Sequence, residues 1–425
     1  MERSYIENVL KGKEKKYKIY GWVHDIRDLG KIKFLILRDI TGIIQITAIK
    51  GITKDNIFDS IDKVPRESVV SIEGKAVKNS QAPGGTEINP EKFEIISKAQ
   101  HPLPIDVSDF SKTELPKRLD YRFLDFHRRK TQAIFKIQTE IAFSFREFFY
   151  KKGFIEIQNP CIIGVASEGG TELFPVQYFE KKAYLAQSPQ LYKQMLACSM
   201  EKTFTITPVF RAEKHNTTRH INEIRQMDIE MAFADQMTIM KELEECIIYI
   251  VKNILKKCKK ELEFLDINLK VPKGVYLSYD EAIEKINGKY EEDFTPEQEK
   301  KLCDLYKDNI VFVHSWPSSL KPFYIMPKNA DPKSKYSEGF DALYKGIEIS
   351  SGGQRIHIPE LLIERIKEKG LNPKNFKDYI DSFRYGAPPH AGWSIGLERL
   401  TQVICNLDNI KEATMFPRDR DRLTP

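Results

Sequence analysis

Gly392-Trp393-Ser394-Ile395-Gly396-Leu397-Glu398-Arg399 passes from a glycine-rich strand straight into an amphipathic helix, and its reading decides what the second half of the chain is. The glycines let a ligand approach the backbone, and Arg399 in the first helical turn stands beside it. The spacing is neither the G-x-x-x-x-G-K-[ST] of a phosphate loop nor the G-x-G-x-x-G of a dinucleotide site. A second stretch, Phe210-Arg211-Ala212-Glu213, closes a strand and opens into a polar loop holding Arg219 and His220, before a strand returns through Asp228 and Glu230. A strand pair that projects an Arg and a Glu from one end can clamp a triphosphate and read a base. Taken alone, it is more simply a hairpin with a solvated basic tip.

Working outward, apolar residues recur from Thr131 as Ile134, Ile137, Ile141, Phe145 and Phe148, a helical stripe that Gly153 stops. Phe154 to Ile157 then reads as strand and Pro160 as a break. Further strand-like runs are Tyr184 to Ala186, Phe204 to Phe210, Met227 to Ala232, Ile310 to His314, Phe323 to Met326 and Tyr344 to Ile349. Helical stretches fall near 238–262, 359–370 and 396–406. This spacing is too irregular for a repeated strand-helix-strand unit and points to an antiparallel sheet flanked by helices, an α+β domain over 131–425. The Glu- and Lys-rich segment from Glu281 to Lys307 reads as a solvated helical insertion.

The first hundred residues read differently. Strands are expected at Tyr17 to His24, Phe34 to Arg38, Ile43 to Ile49, Val69 to Ala76 and Phe93 to Ile96, with a short helix over Ile57 to Val64. Five strands with a helix between the third and fourth is the order of an all-β OB-type barrel, a fold used for single-stranded nucleic acid and also found without a ligand. Residues 101–130, with Pro102, Pro104, Pro116 and the run His127-Arg128-Arg129-Lys130, are placed as a hinge between the two domains.

Composition narrows the rest. The 425 residues, 41% hydrophobic and 30% charged, suit a two-domain globular protein with large cores. No run of about 20 apolar residues is available to span a bilayer, and no signal-peptide layout is present, so a cytoplasmic location is expected. Cys161, Cys198, Cys246, Cys258, Cys303 and Cys405 are scattered singly, which suggests neither a zinc knuckle nor a disulfide framework. A net charge of +6 permits a polyanionic partner without demanding one.

Jointly, the helix and strand ending at Pro160, the stretch Arg211 to Asn222 and the stretch Gly392 to Arg399 resemble the three signature motifs of class II aminoacyl-tRNA synthetases. The chain resembles their aspartyl members, of compact archaeal type, over essentially its whole length. Further matching stretches are Ala166 to Phe174, Gln187 to Lys193, Gly346 to Arg355 and Phe416 to Pro425. The resemblance implies ATP, L-aspartate and tRNA as substrates, Mg²⁺ as cofactor and a homodimer formed around the Pro160 unit. It implies that Arg211 holds the α-phosphate and a substrate carboxylate oxygen, and that Glu213 faces adenine. Arg219, His220 and Arg399 would hold the outer phosphates of a bent ATP. Ala212, Ile221, Gly396, Leu397 and Glu398 would complete the nucleotide site, and Glu348 and Ser351 match Mg²⁺ positions. The sequence departs from many class II enzymes at Ile224, where an aromatic often stacks on the base.

The amino acid follows from charge. A buried carboxylate needs cationic partners, and Arg355 with Lys193 offers a planar fork and a second positive charge. An amide substrate would bring nothing to offset Lys193. Glu168 and Asp228 would bind the ammonium group, with Gln190, Leu191, Tyr192 and Ser351 completing the pocket. In the barrel, Phe34 and Gln45 match positions that stack on and read anticodon bases, and Glu87 is a looser match. His24 and Pro83 stand where archaeal enzymes specific for one tRNA have Trp and Lys, which implies relaxed reading of the third anticodon base and charging of both tRNA-Asp and tRNA-Asn. The rivals are an enzyme restricted to tRNA-Asp, an asparagine-charging enzyme, a tRNA-independent asparagine synthetase, which would lack the barrel, and an inactive RNA-binding module.

Overall fold

Alternation of apolar and polar residues builds the first of two compact units, Met1–Thr113 and Glu114–Pro425, into which the chain of this computed structural model divides. The structure describes residues 2–12, 15–165 and 173–425. In the first unit the strands Lys16–Asp28, Ile32–Asp39, Gly42–Ile49, Val69–Lys78 and Thr86–Ser97 close a barrel in the order one, two, three, five, four. Ile19, Val23, Leu35, Leu37, Ile44, Ile46, Ile72 and Ile88 point inward and are fully buried. The helix Asp55–Ile61 lies between the third and fourth strands, as its apolar spacing requires. The strands run further than the apolar runs did, because their ends carry polar residues outward. A helix not expected, Ile6–Lys11, is too short to show a period, yet it buries Ile6 and Val9.

In the second unit an eight-stranded mixed sheet runs in the order Gly274–Ser278, Ile310–His314, Gly339–Tyr344, Ile347–Gln354, His390–Gly396, Glu223–Ala232, Lys202–Phe210, Ile155–Glu156. Pairing is antiparallel through the centre and parallel within the outermost pair at each edge, where the chain crosses over through helices. Helices Arg129–Lys151 and Gln236–Lys257 cover one face. Ile137, Ile141, Phe145 and Phe149 of the first, and Leu243, Ile247 and Ile250 of the second, pack on Met227, Ile229, Trp393 and Ile395. No helix among the described residues is long and apolar enough to cross a membrane.

Three local expectations are corrected. Tyr344 to Ile349 is not one strand but the turn of a hairpin: Lys345 (φ 48°) and Gly346 (φ 85°) link Gly339–Tyr344 to Ile347–Gln354, the two positive φ values a two-residue turn of this hand needs. Phe323 to Met326 forms only an isolated bridge, Ile325 to Arg355, and buries its side chains against Leu362, Phe376 and Tyr379. A four-residue apolar run has no period to tell strand from buried coil. Finally, Glu281 to Lys307 is no solvated insertion. Its helices Tyr279–Ile286 and Pro296–Leu305 bury Tyr279, Ala282, Ile286, Leu302 and Cys303 with Trp316 in a core of their own, because the Glu and Lys residues occupy one face only.

The segment 101–130 divides at Thr113, and its later part is packed into the second unit. Fully buried Asp125 accepts from Arg118 Nε at 2.8 Å and also pairs with Arg122 and Arg128. Arg122 in turn donates to the carbonyls of Glu412, Thr414 and Met415. All six cysteines are free thiols.

Candidate active site

Three neighbouring central strands set the floor of a cavity of about 340 Å³. Register places Asp228 opposite Ser394, and Ser394 opposite Ser351, so these side chains share one line across the sheet. Gln190 and Lys193 reach the cavity from the helix Gln190–Met200, and Arg355 from the end of the strand Ile347–Gln354.

At its closed end four charges interlock. Lys193 Nζ lies 2.8 Å from Asp228 Oδ1 and 3.4 Å from Glu230 Oε2, and it also donates to the carbonyls of Ile229 and Trp393. Arg355 Nε donates to Glu230 Oε1 at 2.8 Å and its Nη2 to Oε2 at 3.3 Å, while the guanidinium stacks over Tyr324. None of the four is more than 2% exposed. Burial pushes the Glu230 carboxyl up, but Arg355 and Lys193 more than reverse it, so its pKa is lowered. Burial also raises Asp228, and there Lys193 recovers only part. A further cation beside Asp228 would therefore be stabilised, as an ammonium group can be. Gly392 is explained here: a Cβ would stand 2.1 Å from Glu230 Oε2 and 2.3 Å from Ile229 O, so glycine makes room for a carboxylate of the protein. At Gly396, by contrast, an added Cβ meets only the Arg399 side chain, at 3.6 Å or more, which leaves the approach open on its cavity side.

Gln190 is held by a relay. Its Nε2 donates to Gln194 Oε1 at 2.8 Å, which also accepts from Tyr379 OH. Gln194 Nε2 lies 2.9 Å from His390 Nε2, and His390 Nδ1 faces Pro388 O. Burial lowers the His390 pKa, so a neutral ring donates to Pro388 and accepts from Gln194.

The opposite end is basic. Arg211 lines the cavity, and among the described residues its guanidinium has no ion-pair or hydrogen-bond partner. Its backbone N–H donates to Asn222 O, and Asn222 N–H to Arg418 O, so the loop between the strands is closed against the segment after Phe416. Asn216 to Asp421 at 2.7 Å, Lys411 to Asn216 at 2.6 Å and Arg420 to Lys214 O at 3.0 Å fasten it further. His220 Nδ1 meets Thr217 Oγ1 at 2.7 Å, and its Nε2 lies 3.6 Å from Glu213 Oε2. Burial lowers its pKa; Glu213 opposes this, and Arg399, Arg211 and Arg219 add to it. Arg399 Nη1 donates to Glu348 O at 3.0 Å.

Glu348 and Asp341 face the same cavity. Burial, then the Asp341 charge, pushes the Glu348 carboxyl up to about 7, with Arg399 and Lys321 opposing. Among the described residues no three His, Cys, Asp or Glu side chains cluster as metal ligands. Glu348, the Lys321-paired Asp341 and the exposed Ser351 hydroxyl nevertheless offer oxygen donors that suit magnesium, which keeps several waters and takes few protein ligands beside phosphate.

Of the expected site residues, the fold brings Gln190, Lys193, Arg211, Glu213, Arg219 and His220 to this one cavity. Ile221, Asp228, Glu348, Ser351, Arg355, Gly396 and Arg399 join them there. Leu191, Tyr192, Ala212, Leu397 and Glu398 do not line it. Leu191 packs in the core around Phe323, and buried Glu398 accepts the Arg225 N–H at 3.1 Å on both oxygens, fixing the strand from beneath. Glu168 lies outside the described residues. Sequence reading missed Glu230, Asp341 and Lys321 as parts of the site. The alternation from Asp228 to Glu230 along one strand is the signal that could have found Glu230.

In the barrel unit, Phe34, Gln45 and Glu87 share one outer face. Gln45 Nε2, Thr47 Oγ1 and Asn79 Nδ2 all donate to Glu87 Oε2, at 2.9, 2.6 and 2.9 Å. Pro83 starts a short turn just before Glu87. His24 sits at a bulge between Val23 and Asp25, its Nδ1 accepting from Arg38 Nη1 at 3.1 Å. Arg38 is locked to Glu67 at 2.7 Å. Burial first, then Arg38, lowers the His24 pKa and keeps the ring neutral.

Comparison with known proteins agrees with this layout. Residues 114–420 match the family model for tRNA synthetases class II (D, K and N), and residues 17–96 that for an OB-fold nucleic acid binding domain. The aspartate–tRNA(Asp/Asn) ligase of Methanocaldococcus jannaschii is 47% identical over 96% of this chain and 94% of its own length. The aspartate–tRNA(Asp) ligase of Pyrococcus furiosus is likewise 47% identical, over 97% and 96%. The crystal structure of asparaginyl-tRNA synthetase from Pyrococcus horikoshii with asparaginyl-adenylate covers 100% of both chains at a TM-score of 0.95 and 35% identity. The aspartyl-tRNA synthetase of Entamoeba histolytica covers 100% of this chain and 93% of its own at a TM-score of 0.89 and 33% identity. A barrel of nucleic-acid-binding type, a mixed sheet carrying an arginine-lined cavity and a full-length match of this strength leave one assignment: the chain belongs to the class II tRNA synthetases of the D, K and N group.

Proposed function

We propose that the protein activates L-aspartate with ATP and transfers it to tRNA-Asp and tRNA-Asn, acting in the cytoplasm as a homodimer. One observation carries the choice of amino acid: Lys193 is fully buried between Asp228 and Glu230, next to Arg355. An aspartate entering with its side-chain carboxylate toward Lys193 and Arg355, and its ammonium toward Asp228, meets opposite charge at each point. The amide of asparagine would still bring its ammonium to Asp228 but no negative charge to the cavity-lining Lys193 and Arg355, leaving the filled pocket one positive charge in excess. The likeness to an asparaginyl enzyme lies in the fold, which says nothing about this pocket.

Arg211 steadies the α-phosphate and the reacting carboxylate, and Arg219, His220 and Arg399 face the outer phosphates. Glu213 and Ile221 border the base, with Ile224 as an aliphatic wall in place of an aromatic one. The aspartate α-carboxylate oxygen attacks the α-phosphorus, pyrophosphate leaves, and a terminal ribose hydroxyl of tRNA then attacks the adenylate carbonyl and releases AMP. No side-chain nucleophile is required; placement and fixed positive charge do the work. Mg²⁺, held by Glu348, Ser351 and Asp341, would neutralise charge developing on the phosphates. In the barrel, Phe34 offers a ring for an unpaired base and the Gln45–Glu87 pair offers both donor and acceptor. The small neutral His24 and Pro83 support tolerance of either pyrimidine at the third anticodon position. The exposed Phe143, Tyr150 and Ile155 on the helix and edge strand before Pro160 supply an apolar face for a second copy.

The test is pyrophosphate exchange into ATP driven by aspartate or by asparagine, followed by charging of each tRNA transcript. Aspartate-dependent exchange with charging of both is expected. Exchange driven by asparagine alone overturns the amino-acid assignment, and charging of tRNA-Asp only overturns the dual specificity.

A further inference from the structure

The helical segment Tyr279–Ile286 and Pro296–Leu305 packs beside the cavity and reaches into its phosphate end. Arg219 Nη1 lies 2.7 Å from Glu299 Oε2, and Arg219 Nη2 donates to Gly346 O at 3.2 Å. Two residues on, within the strand Ile347–Gln354 that leaves this turn, Glu348 O accepts from Arg399. The two arginines are therefore hung from carbonyls two residues apart, one on the hairpin turn and one on the strand that follows it. They differ in origin, since Arg399 stands on a helix whereas Arg219 comes from the loop between two strands. The helix is seated to make the contact: a Cβ on Gly346 would touch Lys300 Cα and Cβ at 3.5 Å, so Pro296–Leu305 lies directly against the hairpin turn. Burial raises the Glu299 carboxyl and Arg219 opposes it, as befits an ion pair drawn partly out of water.

We infer that Glu299 is a positioning residue that holds Arg219 in its phosphate-facing pose, which makes the 279–305 segment part of the ATP site. The inference rests on the reading of Arg219 as a ligand of the outer phosphates. Its sign is opposite to that of plain electrostatics. A carboxylate near the phosphates repels ATP, so if Glu299 were only a neighbour its removal would tighten binding. If it orders a long loop side chain in advance, its removal makes ATP meet that ordering cost, which corresponds to about 2- to 10-fold weaker binding.

The experiment measures aspartate-dependent pyrophosphate exchange with Glu299→Gln, Glu299→Ala, Arg219→Ala and the Arg219→Ala/Glu299→Gln double variant. Expected is a rise of about 2- to 10-fold in KM for ATP in both Glu299 variants, an unchanged KM for aspartate, and no further rise when Glu299→Gln is added to Arg219→Ala. An unchanged or lower KM for ATP in Glu299→Gln overturns the inference, as does an equal rise in both KM values, the mark of a merely structural role. If Arg219→Ala itself leaves the KM for ATP untouched, the fault lies in the reading of Arg219, and the inference falls with it.

Discussion

Replacing Lys193 by Met keeps an unbranched chain of similar volume and removes one charge from a site where four are interlocked. With Lys193 and Arg355 facing Asp228 and Glu230, the closed end of the cavity is balanced; without the ammonium it holds one surplus negative charge, none of it more than 2% exposed. Removing one partner of a buried pair costs about 3–5 kcal/mol. Two outlets compete for that cost. The fold can loosen, or Asp228, whose pKa burial already raises, can take up a proton. Protonation is the easier outlet because it needs no backbone movement, and it removes the counter-charge for the substrate ammonium in the same step. The cost then falls on aspartate, and 3–5 kcal/mol corresponds to a loss of roughly two to three and a half decades in kcat/KM for aspartate. The KM for ATP should stay within about twofold, since the phosphate-facing arginines keep their anchors. Pyrophosphate exchange at varied aspartate and varied ATP, with thermal unfolding as a control on the fold, measures all of this. A Lys193→Met enzyme with kcat/KM for aspartate within about threefold of the parent would refute the charge argument.

Glu398→Gln tests a buried carboxyl outside the chemistry. Burial raises Glu398 to about 7. The folded state therefore holds a proton that the unfolded chain gives up from about pH 4.5, so folding loses stability as pH rises toward 7, by up to ~3 kcal/mol, and stays at that lower level above. The variant should melt higher than the parent at pH 8 and alike at pH 4, with the KM for ATP unchanged; an equal offset at both pH values contradicts the assignment. Gly392→Ala drives a methyl into Glu230 Oε2 and Ile229 O, and should cost about 1–3 kcal/mol of stability, read by denaturant melts, together with aspartate activation. His24→Trp with Pro83→Lys should abolish charging of the tRNA-Asn transcript while leaving aspartate-dependent exchange as it was; retained charging of that transcript would reject the role given to these positions.

What could be read from the chain in advance was whatever repeats along it. The barrel strands alternate, the helix from Arg129 has its stripe, and the motif stretches carry Arg211 and Arg399 in contexts that chemistry recognises. What escaped depended on partners distant in sequence. Glu230 becomes part of the site only because Arg355, 125 residues later, closes on it. The Glu- and Lys-rich 281–307 segment is charged on average, and only its folded faces reveal that Tyr279, Leu302 and Trp316 form a core while Glu299 turns toward Arg219. Glu398 belongs to a motif, but that its carboxylate accepts the Arg225 backbone N–H is visible only in the fold. Phe323 to Met326 has the composition of a strand, but only tertiary packing settles its form.

The interlocked quartet Lys193, Asp228, Glu230 and Arg355 also bears on how aspartate binding responds to ionic strength. Its charges are paired out of reach of dissolved ions, and an aspartate bound as proposed would exchange partners with them rather than add charge to an open surface. Binding of aspartate should then be nearly indifferent to added salt, whereas the partly buried arginines proposed to face the ATP phosphates are screened more. The capture of tRNA rests on solvent-facing contacts to phosphates that shed counterions, and should weaken steeply over the same range. A moderately salty medium would thus leave aspartate binding nearly intact while weakening the capture of tRNA.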